Sequence, residues 1–258
     1  MKAMIFAAGL GTRLKPLTDR MPKALVPVGG KPMLDHVMEK LQAAGYDDIV
    51  VNVHHFAGQI IDHLRGRHGV QISDESDRLL ETGGGVLHAA ELLKGCGAFL
   101  IHNVDILSNA DLKAFQQAYS ERIVNEPETL AELLVTDRPS SRKLLFEPNS
   151  LRLVGWKNLN TGKAGSPFKD FREENCIALA FSGIHIMNES ILQRLQEYSE
   201  SIDSPAFPIM NFYFSIATEY PIYAHIAPEL QLLDIGKFDR LPEAERMYRM
   251  LQEDTQKL

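Results

Sequence analysis

Residues 3–8, Ala-Met-Ile-Phe-Ala-Ala, are uniformly apolar and stop at Gly9. Such a run predicts a strand buried on both faces, as in a parallel sheet. Residues 31–45 place Met33, Leu34, Val37, Met38 and Leu41 at helical spacing and end at Gly45, so a helix is predicted there. The β-branched stretch 48–53 predicts a second strand. Further along, the pattern predicts a short helix at 59–64, strands at 70–73, 98–104 and 129–135, and helices at 84–93 and 112–119. The 84–93 helix is expected to be entered through glycines. This alternation implies right-handed βαβ units and an open α/β sheet. After about residue 137 the pattern changes. Residues 138–175 are rich in Pro, Gly, Asn, Lys and Arg, with short strands expected near 143–147 and 151–156. Strands at 177–187 and 222–227 and helices at 189–198, 207–219 and 241–252 follow. Repeats, low-complexity tracts and interdomain linkers are not found. One continuous domain over 1–258 is expected, changing character between a first half (1–137) and a second half (138–258).

Composition narrows the function classes. The chain has 258 residues, 45% hydrophobic and 24% charged, with a net charge of -7. That charge argues against a broad nucleic-acid surface, which is basic. It leaves room for a small anionic substrate held by local Lys and Arg. The N-terminus reaches Gly9 too soon for a signal peptide, and no apolar run reaches the roughly 18 residues of a membrane helix. A cytoplasmic protein without a membrane partner is expected. Cys96 and Cys176 lack metal-ligand spacing and are expected to be free buried thiols.

The chemistry concentrates where the first strand ends, in Ala7-Ala8-Gly9-Leu10-Gly11-Thr12-Arg13-Leu14. Open α/β sheets bind ligands at the carboxyl ends of strands. Small residues let backbone N–H groups approach a phosphate, and Arg13 adds a cationic fork. Lys23 follows in Met21-Pro22-Lys23-Ala24-Leu25 and could close over the same phosphates. A dinucleotide fingerprint is excluded, because Leu14 stands at its third glycine and the second strand ends in Asn52-Val53-His54-His55 rather than an acid. The P-loop pattern, the zinc pattern His-Glu-x-x-His and the hydrolase pattern Gly-x-Ser-x-Gly do not occur.

The composite Ala-Ala-Gly-x-Gly-Thr-Arg-Leu-x-Pro-Leu-Thr, then Pro-Lys-x-Leu-Val-Pro-Val, runs from Ala7 to Val28. It resembles the opening signature of the sugar-1-phosphate nucleotidylyltransferases. The resemblance implies a Rossmann-like, GT-A-like fold: an open, mixed, mainly parallel sheet with helices on both faces. It also implies nucleotidyl transfer from a nucleoside triphosphate to a sugar 1-phosphate, with Mg²⁺ as cofactor. By the same resemblance Ala7, Ala8, Gly9, Gly11, Thr12, Arg13, Lys23 and Asn52 would hold the nucleotide. Glu81-Thr82-Gly83-Gly84-Gly85 looks like the base-side loop of N-acetylmuramate-1-phosphate uridylyltransferases, which would put Glu81 and Gly84 near the base.

Asp105 ends an apolar strand, where a carboxylate can bind a hard cation. Its aspartate counterpart in the family binds the metal, although Val104 replaces the usual glycine. Asp234, in Asp234-Ile235-Gly236, looks like the family's second metal aspartate, with Lys237-Phe238 in place of Thr-Pro. Asp239 is expected to cap the last helix and Asp111 or Asn109 an earlier one. Asn103, Ser182 and Gly183 would face the sugar phosphate. The family's Glu-Lys-Pro segment is missing; Arg142, Lys143 and Lys157 are its possible substitutes. Arg13, Lys23, Asp105 and Asp234 are thus the expected catalytic set. The family's longer members often add a left-handed β-helix, which is not expected here because the chain ends at Leu258 with a helix and no hexapeptide repeat. UTP with N-acetylmuramate 1-phosphate is the expected pair. The alternatives are GTP with mannose 1-phosphate, CTP with phosphocholine, and a non-catalytic sugar-nucleotide-binding module.

Overall fold

The computed structural model describes residues 1–255. Its strands are β1 (Lys2–Phe6), β2 (Pro27–Val28), β3 (Lys31–Pro32), β4 (Asp48–Val53), β5 (Val70–Asp74), β6 (Ala98–Asn103), β7 (Ile106–Ser108), β8 (Ala131–Thr136), β9 (Arg142–Phe146), β10 (Leu153–Asn158), β11 (Lys163–Gly165), β12 (Ile177–Asn188), β13 (Ile222–Ile226) and β14 (Leu232–Asp234). The helices are α1 (Met33–Ala43), α2 (Ala57–Leu64), α3 (Glu81–His88), α4 (Ala90–Leu93), α5 (Leu112–Asn125), α6 (Ile191–Ser201), α7 (Ile209–Ile216) and α8 (Leu241–Thr255).

Ten strands form one sheet in the order β11-β10-β9-β12-β6-β1-β4-β5, with β8 and β13 branching from β12. β1 lies at the centre of the parallel part, paired with β4 and β6. The pairings leave only β10 and β12 running against the rest. The expected mixed, mostly parallel sheet is therefore what forms. Alternation along β1 shows why its apolar run is continuous. Ala3 and Ile5 pack with α1, α2 and α5 on one face, while Met4 packs with α3, α6 and α7 on the other. Both faces need apolar residues, so no polar position interrupts the strand. A third cluster joins Leu14, Val26 and Val28 to Leu233, Ile235 and Ala244. It fastens β14 and α8 onto the signature segment.

Most predicted elements form, with boundaries moved by a few residues. Asp111 caps α5 by accepting a hydrogen bond from the Ala114 N–H at 2.9 Å. Asp239 is a correction: it lies inside a 3-10 turn, Phe238–Arg240, that precedes α8. The cysteines are free, as expected, but half-buried rather than buried. Among the described residues no helix is long and apolar enough to cross a membrane.

Candidate active site

Three short 3-10 turns, at Thr12–Leu14, Leu17–Asp19 and Lys23–Leu25, follow β1 and carry the signature over the strand ends. Gly11 turns the chain at φ 62, and a side chain there would strike Thr18. A left-handed φ with no room for a Cβ explains this glycine. The end of β1 is fixed by a brace. The Ala7 N–H donates to Asn52 Oδ1 at 2.8 Å, and Asn52 Nδ2 donates to Glu75 Oε1 at 2.7 Å. Glu75 is buried, and burial raises its proton affinity, while the Asn52 and Leu80 donors act the other way. Sequence reasoning missed Glu75, because one acid in the run Asp74-Glu75-Ser76-Asp77 carries no signal of burial.

The two expected metal aspartates meet. β7 and β14 pair antiparallel, with Asp234 opposite Ile106, and the Ile235 N–H donates to the Asp105 carbonyl at 2.9 Å. Lys23 Nζ donates to Asp105 Oδ2, and both side chains are largely enclosed. Asp234 keeps an open side to the cleft, yet crowding by surrounding atoms raises its proton affinity. The Asp105 charge raises it further, and Lys23 and Arg13 oppose this. Two carboxylates brought together, with the charge of Asp105 disfavouring that of Asp234, suit a cation. Among the described residues no group of three or more His, Cys, Asp or Glu could hold a metal. Two carboxylates alone still fit Mg²⁺, which commonly takes one or two protein oxygens and fills its shell with phosphates and water.

Cavities flank this pair. The first, about 420 Å³, is walled by Ala7, Ala8, Gly9, Lys23, Asn52, Glu81, Asn103 and Asp105. It gathers most of the expected nucleotide residues. Glu81 adopts φ 58 in its wall, a conformation that costs a non-glycine residue of the order of 1–3 kcal/mol. The second cavity, about 670 Å³, is lined by Arg13, Asp234 and several further cations. A third, about 570 Å³, is lined by Arg142, Lys143, Trp156 and Lys157. Of the possible Glu-Lys-Pro substitutes there, Lys143 Nζ already bonds the Arg138 carbonyl at 2.8 Å and Asp137 at 3.0 Å. Lys157 is paired with Glu173, whereas Arg142 is exposed.

Two expected site residues are corrected. The glycines of 83–85 do not form a loop against a ligand; they lie inside α3, which begins at Glu81. A Cβ on Gly84 would lie 2.0 Å from the Pro205 carbonyl oxygen, and one on Gly83 would lie 2.4 Å from the Phe207 ring. Gly84 thus serves close packing of α3 on the 205–207 segment and does not line the cavity. Ser182 is buried, and its hydroxyl accepts from the Ile184 N–H at 3.1 Å within a bulge of β12. Gly183, at φ 81 in the same bulge, lies against Asn103, where a Cβ would come within 2.7 Å of Nδ2. Thr12 is exposed on its 3-10 turn. His54 and His55 bond the backbone of Glu75 and Thr18.

The glycines separate two kinds of close approach. At Gly236 a Cβ would lie 2.6 Å from Asp234 Oδ1 and 2.8 Å from an Arg13 terminal nitrogen, both ends of movable side chains. Gly84→Ala is expected to cost about 1–3 kcal/mol of stability through overpacking against backbone. Gly236→Ala is expected to lower turnover about tenfold, the scale of about 1.4 kcal/mol in the barrier, while costing less than about 1 kcal/mol in stability. Urea denaturation alongside initial rates checks both, and the reverse pattern would refute the distinction.

The sequence and the fold match known proteins. The chain belongs to the nucleotidyl transferase family, whose profile matches residues 2–142. It is 50% identical over 109 residues to the N-acetylmuramate alpha-1-phosphate uridylyltransferase of Caulobacter vibrioides, covering 40% of this chain and 45% of that protein. It is 31% identical over 218 residues to the mannose-1-phosphate guanyltransferase of Schizosaccharomyces pombe, covering 81% of this chain and 56% of that one. The matched stretch thus spans about half the length of these curated relatives. Among solved structures, a putative glucose-1-phosphate thymidylyltransferase from Bacillus anthracis superposes with a TM-score of 0.78 at 16% identity, covering 96% of this chain and 95% of that one. The CTP:phosphocholine cytidylyltransferase of Streptococcus pneumoniae gives 0.71 at 18% identity, covering 96% and 98%. At such identity these two establish the shared fold.

Proposed function

We propose that the chain transfers a nucleoside monophosphate from a nucleoside triphosphate to a sugar 1-phosphate and releases pyrophosphate. The observation that carries this is the meeting of Asp105 and Asp234 between two cavities, with Lys23 on one side and Arg13 on the other. An oxygen of the sugar phosphate attacks the α-phosphorus. The new P–O bond forms as the bond to the bridging oxygen breaks, and its electron pair leaves with pyrophosphate. The nucleophile is already anionic, so no general base is required. Catalysis is positioning plus neutralisation of charge.

Lys23 neutralises charge around the α-phosphate, and Arg13 stabilises the departing pyrophosphate. Asp105 and Asp234 would hold Mg²⁺, which supplies Lewis-acid neutralisation of phosphate oxygens when bound. Ala7, Ala8, Gly9, Gly11 and Thr12 offer backbone and hydroxyl groups to the nucleotide, and Asn52 keeps the first of them in place. Residues 1–137 carry the nucleotide and 138–258 the sugar phosphate, with Asn103 and Gly183 at their meeting point. A reaction fed by nucleoside triphosphate suits the cytoplasm.

For the pair of substrates, we favour UTP and N-acetylmuramate 1-phosphate. The Glu81–Gly85 sequence and the 50% and 44% identical relatives support it over partial lengths. Mannose 1-phosphate with GTP is the second reading, supported by the 31% identical relative over 81% of the chain. Pyrophosphate release decides. UTP, GTP, CTP, ATP and dTTP are each paired with a panel of sugar 1-phosphates and phosphocholine in the presence of Mg²⁺. Release with UTP and N-acetylmuramate 1-phosphate is the expected result. Release with another pair reassigns the substrates, and binding of a nucleotide sugar without any release points to a sensor rather than an enzyme.

A further inference from the structure

The cavity beside Asp234 holds more positive charge than the signature accounts for. Arg13 enters it from the signature turn, Arg138 from the end of β8, and Lys237 and Arg240 from the segment before α8. Asp234 and Glu243 are the acidic residues in its lining, so four cations face two anions in a protein whose net charge is -7. Arg240 spends one nitrogen on Glu243 at 2.5 Å, with both side chains about half exposed. Arg138 is held from behind, where its terminal nitrogen donates to the Phe181 carbonyl at 3.2 Å. Its Nε is buried without a hydrogen-bond partner. Burial disfavours the charged form of Arg138, Asp234 restores part of it, and Arg240 weakens it again. Cations that repel one another around a cavity of about 670 Å³ are relieved by an anion of comparable charge.

We propose that Arg138, Lys237 and Arg240, together with Arg13, form a phosphate-binding pocket on the Asp234 side of the cleft. Arginine forks match phosphate oxygens in pairs, and the desolvated Arg138 is the anchor. Lys237 and Arg240 stand at the rim and draw the anion in, an attraction that salt weakens. Two ligands share this chemistry: the pyrophosphate end of the nucleotide and the phosphate of the acceptor. Ser140 lines both this cavity and the Trp156 cavity next to it, so a phosphorylated acceptor could lie across the two. The proposal deepens the transferase reading, but it concerns anion binding and can be tested without turnover.

The test is calorimetric titration of the whole chain with inorganic pyrophosphate and, separately, with glucose 1-phosphate, each with Mg²⁺ and at low and high salt. The variants are Arg138→Gln and the doubly substituted Lys237→Gln/Arg240→Gln, with thermal unfolding to confirm folding. The double variant keeps the test decisive if Arg138→Gln unfolds, since Lys237 and Arg240 are exposed. The expected result is at least tenfold weaker binding of one anion in the double variant, a smaller salt dependence, and unchanged binding of uridine, which carries no phosphate. The anion that weakens identifies the source. Binding of both anions within twofold of the unsubstituted protein, or no binding of either by that protein, would overturn the pocket. Lack of pyrophosphate release across all substrate pairs with anion binding intact would instead count against the transferase reading alone.

Discussion

Asp105→Asn and Asp234→Asn should each lower kcat about 100- to 1000-fold at saturating Mg²⁺, the scale of losing one preorganised charge at a transition state, about 2.7–4 kcal/mol. Asparagine keeps size and one oxygen, so what is lost is anionic charge toward a cation. The two variants should part company in stability. Asp234 is crowded, and Asp105 raises its proton affinity, so its charge opposes folding in the absence of metal. Removing it should leave the melting temperature of the metal-free protein unchanged or higher, a trade of stability for function. Asp105 is the partner of Lys23, and its loss strands a lysine that is largely enclosed. Asp105→Asn should therefore melt lower. Pyrophosphate release and melting curves in chelator and in Mg²⁺ would show this, and near-normal turnover in either variant would remove it from the site.

The parts of this protein legible in its sequence are those whose physics is local. β1 and β6 read as strands because burial on both faces gives them the apolar runs Ala3–Phe6 and Ala98–Ile101, and β4 because of its β-branched run Ile49–Val51. α1 reads as a helix because its buried residues recur on one face and Gly45 follows it. The signature from Ala7 to Val28 was legible as a motif, but its three 3-10 turns were not, since short turns leave no periodicity. Nor was the pairing of β7 with β14, each three residues long. That ladder makes a cleft of two distant aspartates. The glycines at 83–85 misled for a related reason. Glycine is needed both where a backbone approaches a ligand and where it approaches another backbone, and sequence does not separate the two. Arg138 gave no signal, because its value lies in facing Lys237 and Arg240, which follow it by a long stretch of chain.

Lys23→Met carries the second large effect, and it distinguishes a lysine that serves the substrate from one that merely pairs with Asp105. The pair sits at 12% and 14% side-chain exposure. Breaking a fully buried pair costs about 3–5 kcal/mol, because one charge is left uncompensated. Here the cleft admits water, so the loss of stability should be smaller. Lys23 and a metal ion would neutralise the same carboxylate, so on the proposed reading Mg²⁺ at Asp105 would compete with the Lys23 pair. Without the lysine that competition is absent, and Mg²⁺ should raise the melting temperature of Lys23→Met by more than it raises that of the unsubstituted protein, by linkage. Turnover should nonetheless fall about 100- to 1000-fold, since on the proposed mechanism the Lys23 ammonium would neutralise the phosphate. Equal Mg²⁺ shifts in the two proteins would mean that lysine and metal do not share Asp105. A larger shift with undiminished turnover would leave Lys23 as a placeholder for the metal and move the neutralising role to Arg13.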